Sequence, residues 1–335
     1  MSLAEEPELS LVIPCFNEAS VLPLLETRLR KALAELGVSW EVIFVDDGSR
    51  DKTLEGLARL HQSEPRFKVI ALSRNFGHQA ALSAGLSAAA GKFVGVLDAD
   101  LQDPPELFGQ ALAKLREGYD VIYAVRRKRK EGFAKRAAYA IFYRLLRAAA
   151  EVNIPLDSGD FCLMRRCVVD VLKGMPERNI FLRGMRAWSG FRQVGLEYER
   201  EGRAAGETKY PFRKLLRLAT DGLFAFSTLP LRLATYLGFC GVALALAVGI
   251  FIMAWRILGF RFMGHTASDL PGWAAVVCLV LFLNGVQFLM LGCLGEYIGR
   301  IYGEVKHRPR WIVRETHGWA GRSPAEEEQR NPGNL

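Results

Sequence analysis

Several things are missing from this sequence, and each absence removes a class of protein. Its six cysteines form no Cys-x-x-Cys pair, and half of them lie in apolar runs. A disulfide framework or a zinc site is therefore not expected, and a reducing compartment fits better. Met1 to Glu8 is acidic and polar, with no basic region followed by an apolar core. No signal peptide is expected, which assigns residues 1 to about 210 to the cytoplasm. There is no internal repeat, zinc-finger spacing, recognition-helix pattern or aromatic-studded basic sheet. The net charge of +8 over 335 residues is then better explained by an anionic membrane face and by phosphates than by nucleic acid.

What is present divides in two. In the first two thirds, short apolar runs alternate with helical patterns. Leu9–Pro14, Glu41–Asp46, Phe67–Leu72, Phe93–Asp98 and Val121–Val125 read as strands. Ala19–Leu36, Asp51–Ser63, His78–Ala90 and Pro105–Glu117 read as helices. The alternation predicts an α/β fold with a doubly wound, mostly parallel sheet, whose ligands bind beyond the carboxyl ends of the strands. In the last third, Leu233–Trp255 and Trp273–Leu294 carry no charged residue and are long enough to span a bilayer. Basic residues crowd before the first and after the second, so both termini are expected in the cytoplasm. Ala134–Ala150 and Pro211–Leu229 look like amphipathic helices for the membrane interface, the first equally readable as a surface helix. The polar tail after Trp319 is expected to be disordered.

Three segments at strand exits carry chemistry. Asp98-Ala99-Asp100-Leu101-Gln102 puts two carboxylates one residue apart, a crowding that a hard cation such as Mg²⁺ or Mn²⁺ relieves. Asp103-Pro104-Pro105 beside it also reads as a helix start. In Asp46-Asp47-Gly48-Ser49, Asp46 is placed to accept from the N–H edge of a nucleobase, while the segment also makes a plain turn. In Pro14-Cys15-Phe16-Asn17-Glu18, Pro14 is expected to stop the strand and Asn17 to cap the next helix.

Taken in order, these segments resemble family 2 glycosyltransferases of the GT-A fold. With Asp157-Ser158-Gly159-Asp160-Phe161, Gly206-Glu207-Thr208-Lys209-Tyr210 and two later spans, the chain is similar to the polyprenyl-phosphate branch over roughly Leu9 to Val313. That branch includes dolichol-phosphate mannose synthase and the bactoprenol glucosyltransferases. The resemblance implies that Pro14, Asn17, Glu18, Asp46 and Asp98 hold a nucleotide-sugar and that Asp100 and Gln102 bind the metal. It implies phosphate or sugar contacts for Arg126, Arg203 and Lys209. Asp157 and Asp160 are the candidates for a base or for orienting sugar hydroxyls, each readable instead as an N-cap before a helix over Cys162–Leu172. The implied reaction is inverting transfer of one sugar, UDP-glucose mildly preferred, to polyprenyl phosphate at the bacterial cytoplasmic membrane. The alternatives are a GT-A enzyme on another lipid or glycan acceptor, and a degenerate nucleotide-binding scaffold. A two-span bundle can bury more surface by self-association, so a homo-oligomer is among the expected partners. One departure stands out: relatives often carry arginine after Asp-Phe, where this chain has Cys162, leaving Arg165 or Arg166 to supply the contact.

Overall fold

A computed structural model of the chain describes residues 6–126, 158–175, 177, 181–198, 229–259 and 272–330. They fall into two compact units. One holds the described residues up to Tyr198 and those from His307 onward; the other holds those from Leu229 to Lys306.

The first unit opens with alternating elements: β1 (Leu9–Cys15), α1 (Leu22–Leu36), β2 (Trp40–Asp46), α2 (Thr53–Ser63), β3 (Phe67–Leu72), α3 (His78–Ala88), β4 (Phe93–Val96), α4 (Leu107–Arg116) and β5 (Val121–Arg126). Every residue of β1 and β2 is buried. Such continuous burial needs cover on both faces. Leu9, Leu11 and Ile13 pack on one side with α1, α2 and α4, whereas Val12, Ile43 and Val45 pack on the other with α3. Then follow β6 (Ser158–Arg165), α5 (Arg166–Lys173), α6 (Leu182–Trp188) and β7 (Gln193–Tyr198).

The sheet order is β7-β5-β6-β4-β1-β2-β3 with one further edge strand. β1, β2, β3 and β4 are mutually parallel, but β6 enters antiparallel between β4 and β5. The sheet is thus mixed, where a mostly parallel one was expected. The same insertion corrects the reading of residues 162–165, which lie in β6; the helix starts only at Arg166. Asp160 is therefore a strand residue and caps no helix.

The eighth strand comes from the C-terminus. β8 (Val313–His317) pairs antiparallel with β3, and α9 (Pro324–Arg330) packs against α3. The expected disorder after Trp319 does not hold for these residues. Ser323 and Glu326 form a reciprocal capping box, with Glu326 Oε2 accepting from Ser323 N at 2.8 Å and Ser323 Oγ from Glu326 N at 3.4 Å. Trp311 is buried and donates its indole N–H to the Ala325 carbonyl at 3.2 Å. Trp311→Ala should cost about 3 kcal/mol of tail docking. Limited proteolysis then cleaves the tail well before the rest of the unit; equal cleavage rates in variant and wild type would contradict this.

The second unit contains α7 (Leu229–Leu258) and α8 (Gly272–Val305). Among the described residues one segment, Gly238–Leu258, is long and apolar enough to cross a membrane, with mean hydropathy 2.2. Phe239, Ile250 and Met253 on α7 and Phe282 and Phe288 on α8 point outward. A contiguous apolar surface of this kind requires cover. The expected interfacial helix at Ala134–Ala150 lies outside the described residues, as does the one at Pro211–Leu229 except for Leu229, which opens α7.

Candidate active site

β1 pairs with β2 on one side and β4 on the other, so the chain reverses its winding there. A crevice opens at such a switch point beyond the carboxyl ends of the strands. The predicted segments converge on it.

Two loops form one wall. β1 runs through Pro14 to Cys15, one residue past the expected stop. Asn17 adopts a left-handed backbone, φ 57°, and does not cap α1. Instead Asn17 N donates to Ser49 Oγ at 2.9 Å, and its Oδ1 accepts from Arg50 N at 2.8 Å. Glu18 N donates to Thr53 Oγ1 at 2.8 Å, and Ala19 N to Asp51 Oδ2 at 3.2 Å. The β1–α1 loop is thus stitched to the β2–α2 loop. Asp46 is buried, with Oδ2 accepting from Ser49 N at 3.2 Å and Oδ1 left without a partner. A buried acceptor of this kind is costly unless a ligand satisfies it. Burial raises the Asp46 pKa; the Ser49 contacts and the charge of Arg314 on β8 oppose the rise.

Asp47 does something the sequence did not indicate. Its two oxygens accept from Phe76 N at 2.7 Å and Gly77 N at 2.9 Å, pinning the loop that leads into α3. That loop passes so close to Gly48 that a Cβ there would lie 2.5 Å from the Arg74 carbonyl carbon, and Gly48 has φ +68°. Gly48→Ala should therefore cost about 2 kcal/mol and displace the wall beside Asp46. The check is nucleotide affinity, expected to fall at least about tenfold; unchanged affinity would contradict this account of the wall.

The acidic segment follows β4. Gln102 N donates to Asp100 Oδ1 at 3.1 Å, and Leu101 takes a left-handed backbone, φ 58°. Asp103 is fully buried and accepts from the Tyr198 hydroxyl; it caps no helix, and α4 starts at Leu107. Asp98 Oδ1 and Gln102 Oε1 are buried without hydrogen-bond partners among the described residues. Burial pushes the Asp98 carboxyl up to about 6, with Asp160, Asp100 and Asp103 adding to the rise and His78 opposing it. Orphaned oxygens among crowded carboxylates are the donor set of a hard divalent cation.

Asp160, in β6, joins this cluster. His78 Nε2 lies 3.1 Å from Asp160 Oδ2 and 3.6 Å from Asp98 Oδ1, so the three side chains offer a second set of closely spaced ligand atoms. Arg183 Nε lies 2.6 Å from Asp160 Oδ1. Burial opposes ionisation of Asp160, but its His78 hydrogen bond and Arg183 outweigh it and hold the carboxyl well below the usual carboxylate range.

The Cys162 question resolves differently from expectation. Arg165 and Arg166 bind the carbonyls of Leu115, Tyr119 and Gly91, at the end of β4 and β6 away from Asp98. The guanidinium beside Cys162 belongs to Arg186 of α6, which is fully buried over the Tyr123 ring at 5.1 Å. Among the described residues its three side-chain nitrogens have no hydrogen-bond partner.

The structure thus brings together Pro14, Asn17, Glu18, Asp46, Asp98, Asp100, Gln102 and Asp160. Arg126 ends β5, with its side chain outside the description; Asp157, Arg203 and Lys209 lie outside the described residues. Sequence reasoning missed Asp47, His78, Arg183 and Arg186. His78 had a usable signal, since it follows a Gly at the exit of β3.

Two stitched loops facing an acidic cation-type cluster across a switch point make an enzyme-like site suited to a phosphate-bearing ligand held with a divalent cation. The chain belongs to glycosyl transferase family 2, whose model matches residues 10–172. It is 44% identical over 310 residues to the uncharacterized glycosyltransferase YkcC of Bacillus subtilis, covering 92% of this chain and 94% of the relative. It is 38% identical over 311 residues to the SfII prophage-derived bactoprenol glucosyl transferase of Shigella flexneri, covering 92% and 98%. Among solved structures, the mannosyltransferase PcManGT from Pyrobaculum calidifontis in complex with GDP-Man and Mn²⁺ is 20% identical, covering 88% of each chain at a TM-score of 0.42.

Proposed function

We propose that this glycosyltransferase moves one sugar from a nucleotide-sugar, UDP-glucose preferred, to polyprenyl phosphate with inversion. The supporting observation is that likeness to a bactoprenol glucosyl transferase runs over 92% of the chain, through the catalytic unit and the apolar helices alike. In this reading Pro14, Asn17, Glu18 and Asp46 hold the nucleoside, the orphaned Asp46 Oδ1 accepting from the base. Asp98 lies beside the ribose and diphosphate. Asp100 and Gln102 hold Mg²⁺ or Mn²⁺, which when bound supplies Lewis acidity to the leaving diphosphate. Arg126, Arg203 and Lys209 meet donor and acceptor phosphates.

An oxygen of the acceptor phosphate forms the new bond to the anomeric carbon as the bond to the nucleoside diphosphate breaks. A phosphate monoester is largely ionised near neutrality, its second pKa being about 6. No base needs to take a proton from it. Asp160, held strongly ionised, is a poor base and better suited to accept from a sugar hydroxyl. Asp157 keeps the same two candidate roles.

The membrane part of the reading has α7 and α8 crossing the bacterial cytoplasmic membrane as two spans, with both termini and the catalytic unit in the cytoplasm. The basic residues flanking the pair support that orientation. The test incubates purified protein with undecaprenyl phosphate and labelled UDP- and GDP-sugars. Label entering the organic phase with UDP-glucose is expected; label entering with no donor would refute the lipid-phosphate acceptor.

A further inference from the structure

Asp98 and Asp160 share one neighbour, His78, but are bound very differently. Asp160 has a donor on each oxygen: Arg183 Nε at 2.6 Å on Oδ1 and His78 Nε2 at 3.1 Å on Oδ2. Asp98 Oδ1 is buried, with the longer 3.6 Å approach of His78 Nε2 and no hydrogen bond among the described residues. One carboxylate is gripped at both oxygens, and the other is held less closely.

The fixing partners are themselves built in. His78 is the first residue of α3, and Asp47 anchors the two amides just before it. Arg183 lies in the first turn of α6. Leu182 N donates to Gln79 Oε1 at 2.9 Å, so the residue next to Arg183 is tied to the residue next to His78. Two helices are thereby cross-linked at the points from which they grip Asp160.

We propose that Arg183 and His78 are positioning residues: they hold Asp160 as a fixed acceptor for a hydroxyl of the donor sugar. A carboxylate offers about four lone-pair sites, so two donors leave room for a hydroxyl. The flanking Arg183 guanidinium also offsets a charge that would otherwise repel the donor's diphosphate. This inference rests on the glycosyltransferase assignment but requires no particular acceptor.

The test measures Mn²⁺-dependent binding of UDP and of UDP-glucose to the full chain in detergent, without acceptor. A GDP and GDP-mannose pair replaces them if those bind instead. Arg183→Met should shift the ratio of the two dissociation constants about tenfold against the sugar nucleotide, with UDP affinity unchanged within about twofold. Asp160→Ala should give the same shift, His78→Ala a smaller one, and the Arg183→Met, Asp160→Ala double variant no more than Asp160→Ala alone. Arg183→Lys, keeping the charge, should fall between wild type and Arg183→Met, and it replaces Arg183→Met in the cycle if that variant fails to bind UDP. Equal losses for UDP and UDP-glucose would show a merely structural role and overturn the proposal. So would multiplying shifts in the double variant, or an unchanged ratio in Asp160→Ala. Because no acceptor is present, failure of the polyprenyl-phosphate reading leaves these outcomes intact.

Discussion

Asp100→Ala is expected to lower turnover by about a thousandfold, even with Mg²⁺ or Mn²⁺ at saturation. Two effects combine. The substitution removes a carboxylate from a cluster that also holds Asp98 and Asp103, weakening its hold on a cation. It also removes the acceptor for Gln102 N, which closes the turn around Leu101 and aims the orphaned Gln102 Oε1. A fixed turn matters because a displacement of about 1 Å at a reacting centre costs about a hundredfold in rate. Steady-state transfer measured across a metal titration checks this. Full turnover by Asp100→Ala at saturating metal would remove Asp100 from the metal site.

Cys162→Arg is expected to destabilise the catalytic unit by about 3 kcal/mol or more. The change installs the arginine that the family resemblance leads one to expect after Asp-Phe, so inspection of the sequence alone would call it harmless. In the structure the space beside Cys162 is taken by the Arg186 guanidinium, fully buried against Tyr123. A second buried cation there meets the like charges of Arg186 and Arg183. Adding Arg186→Met should recover much of the loss by removing the repulsion. Urea unfolding of the two single variants and the double variant measures the coupling. Losses that simply add would mean that residues 162 and 186 do not compete for one space.

The catalytic core was largely readable. Short apolar runs such as Leu9–Pro14 and Glu41–Asp46, alternating with helices, marked a sheet covered on both faces, and the predicted strands and helices up to residue 126 match within a few residues. The segments beginning at Asp46 and Asp98 stood at strand exits, as the α/β rule requires. The tail could have been read as well, since Ser323-Pro324-Ala325-Glu326 is a capping box with proline at the first helical position. Composition alone was the wrong guide there. β6 was harder: Asp160-Phe161-Cys162 precedes a helix closely, and only pairing with β4 and β5 shows that it is extended.

By itself, then, the sequence determined the first five strands and the helices between them, that acidic segments leave β2 and β4, and that an apolar stretch follows, because these depend on local periodicity and composition. Tertiary structure alone decided how the charges are shared. Asp98 and Asp160 are both aspartates beside His78, yet Arg183, brought in by α6, grips Asp160, while Asp98 Oδ1 has the 3.6 Å approach of His78 and no hydrogen bond among the described residues. The same helix fills the space at Cys162 with Arg186. Residues 160 and 183 lie 23 positions apart, and no local pattern encodes a contact that arises only when α6 packs onto the sheet.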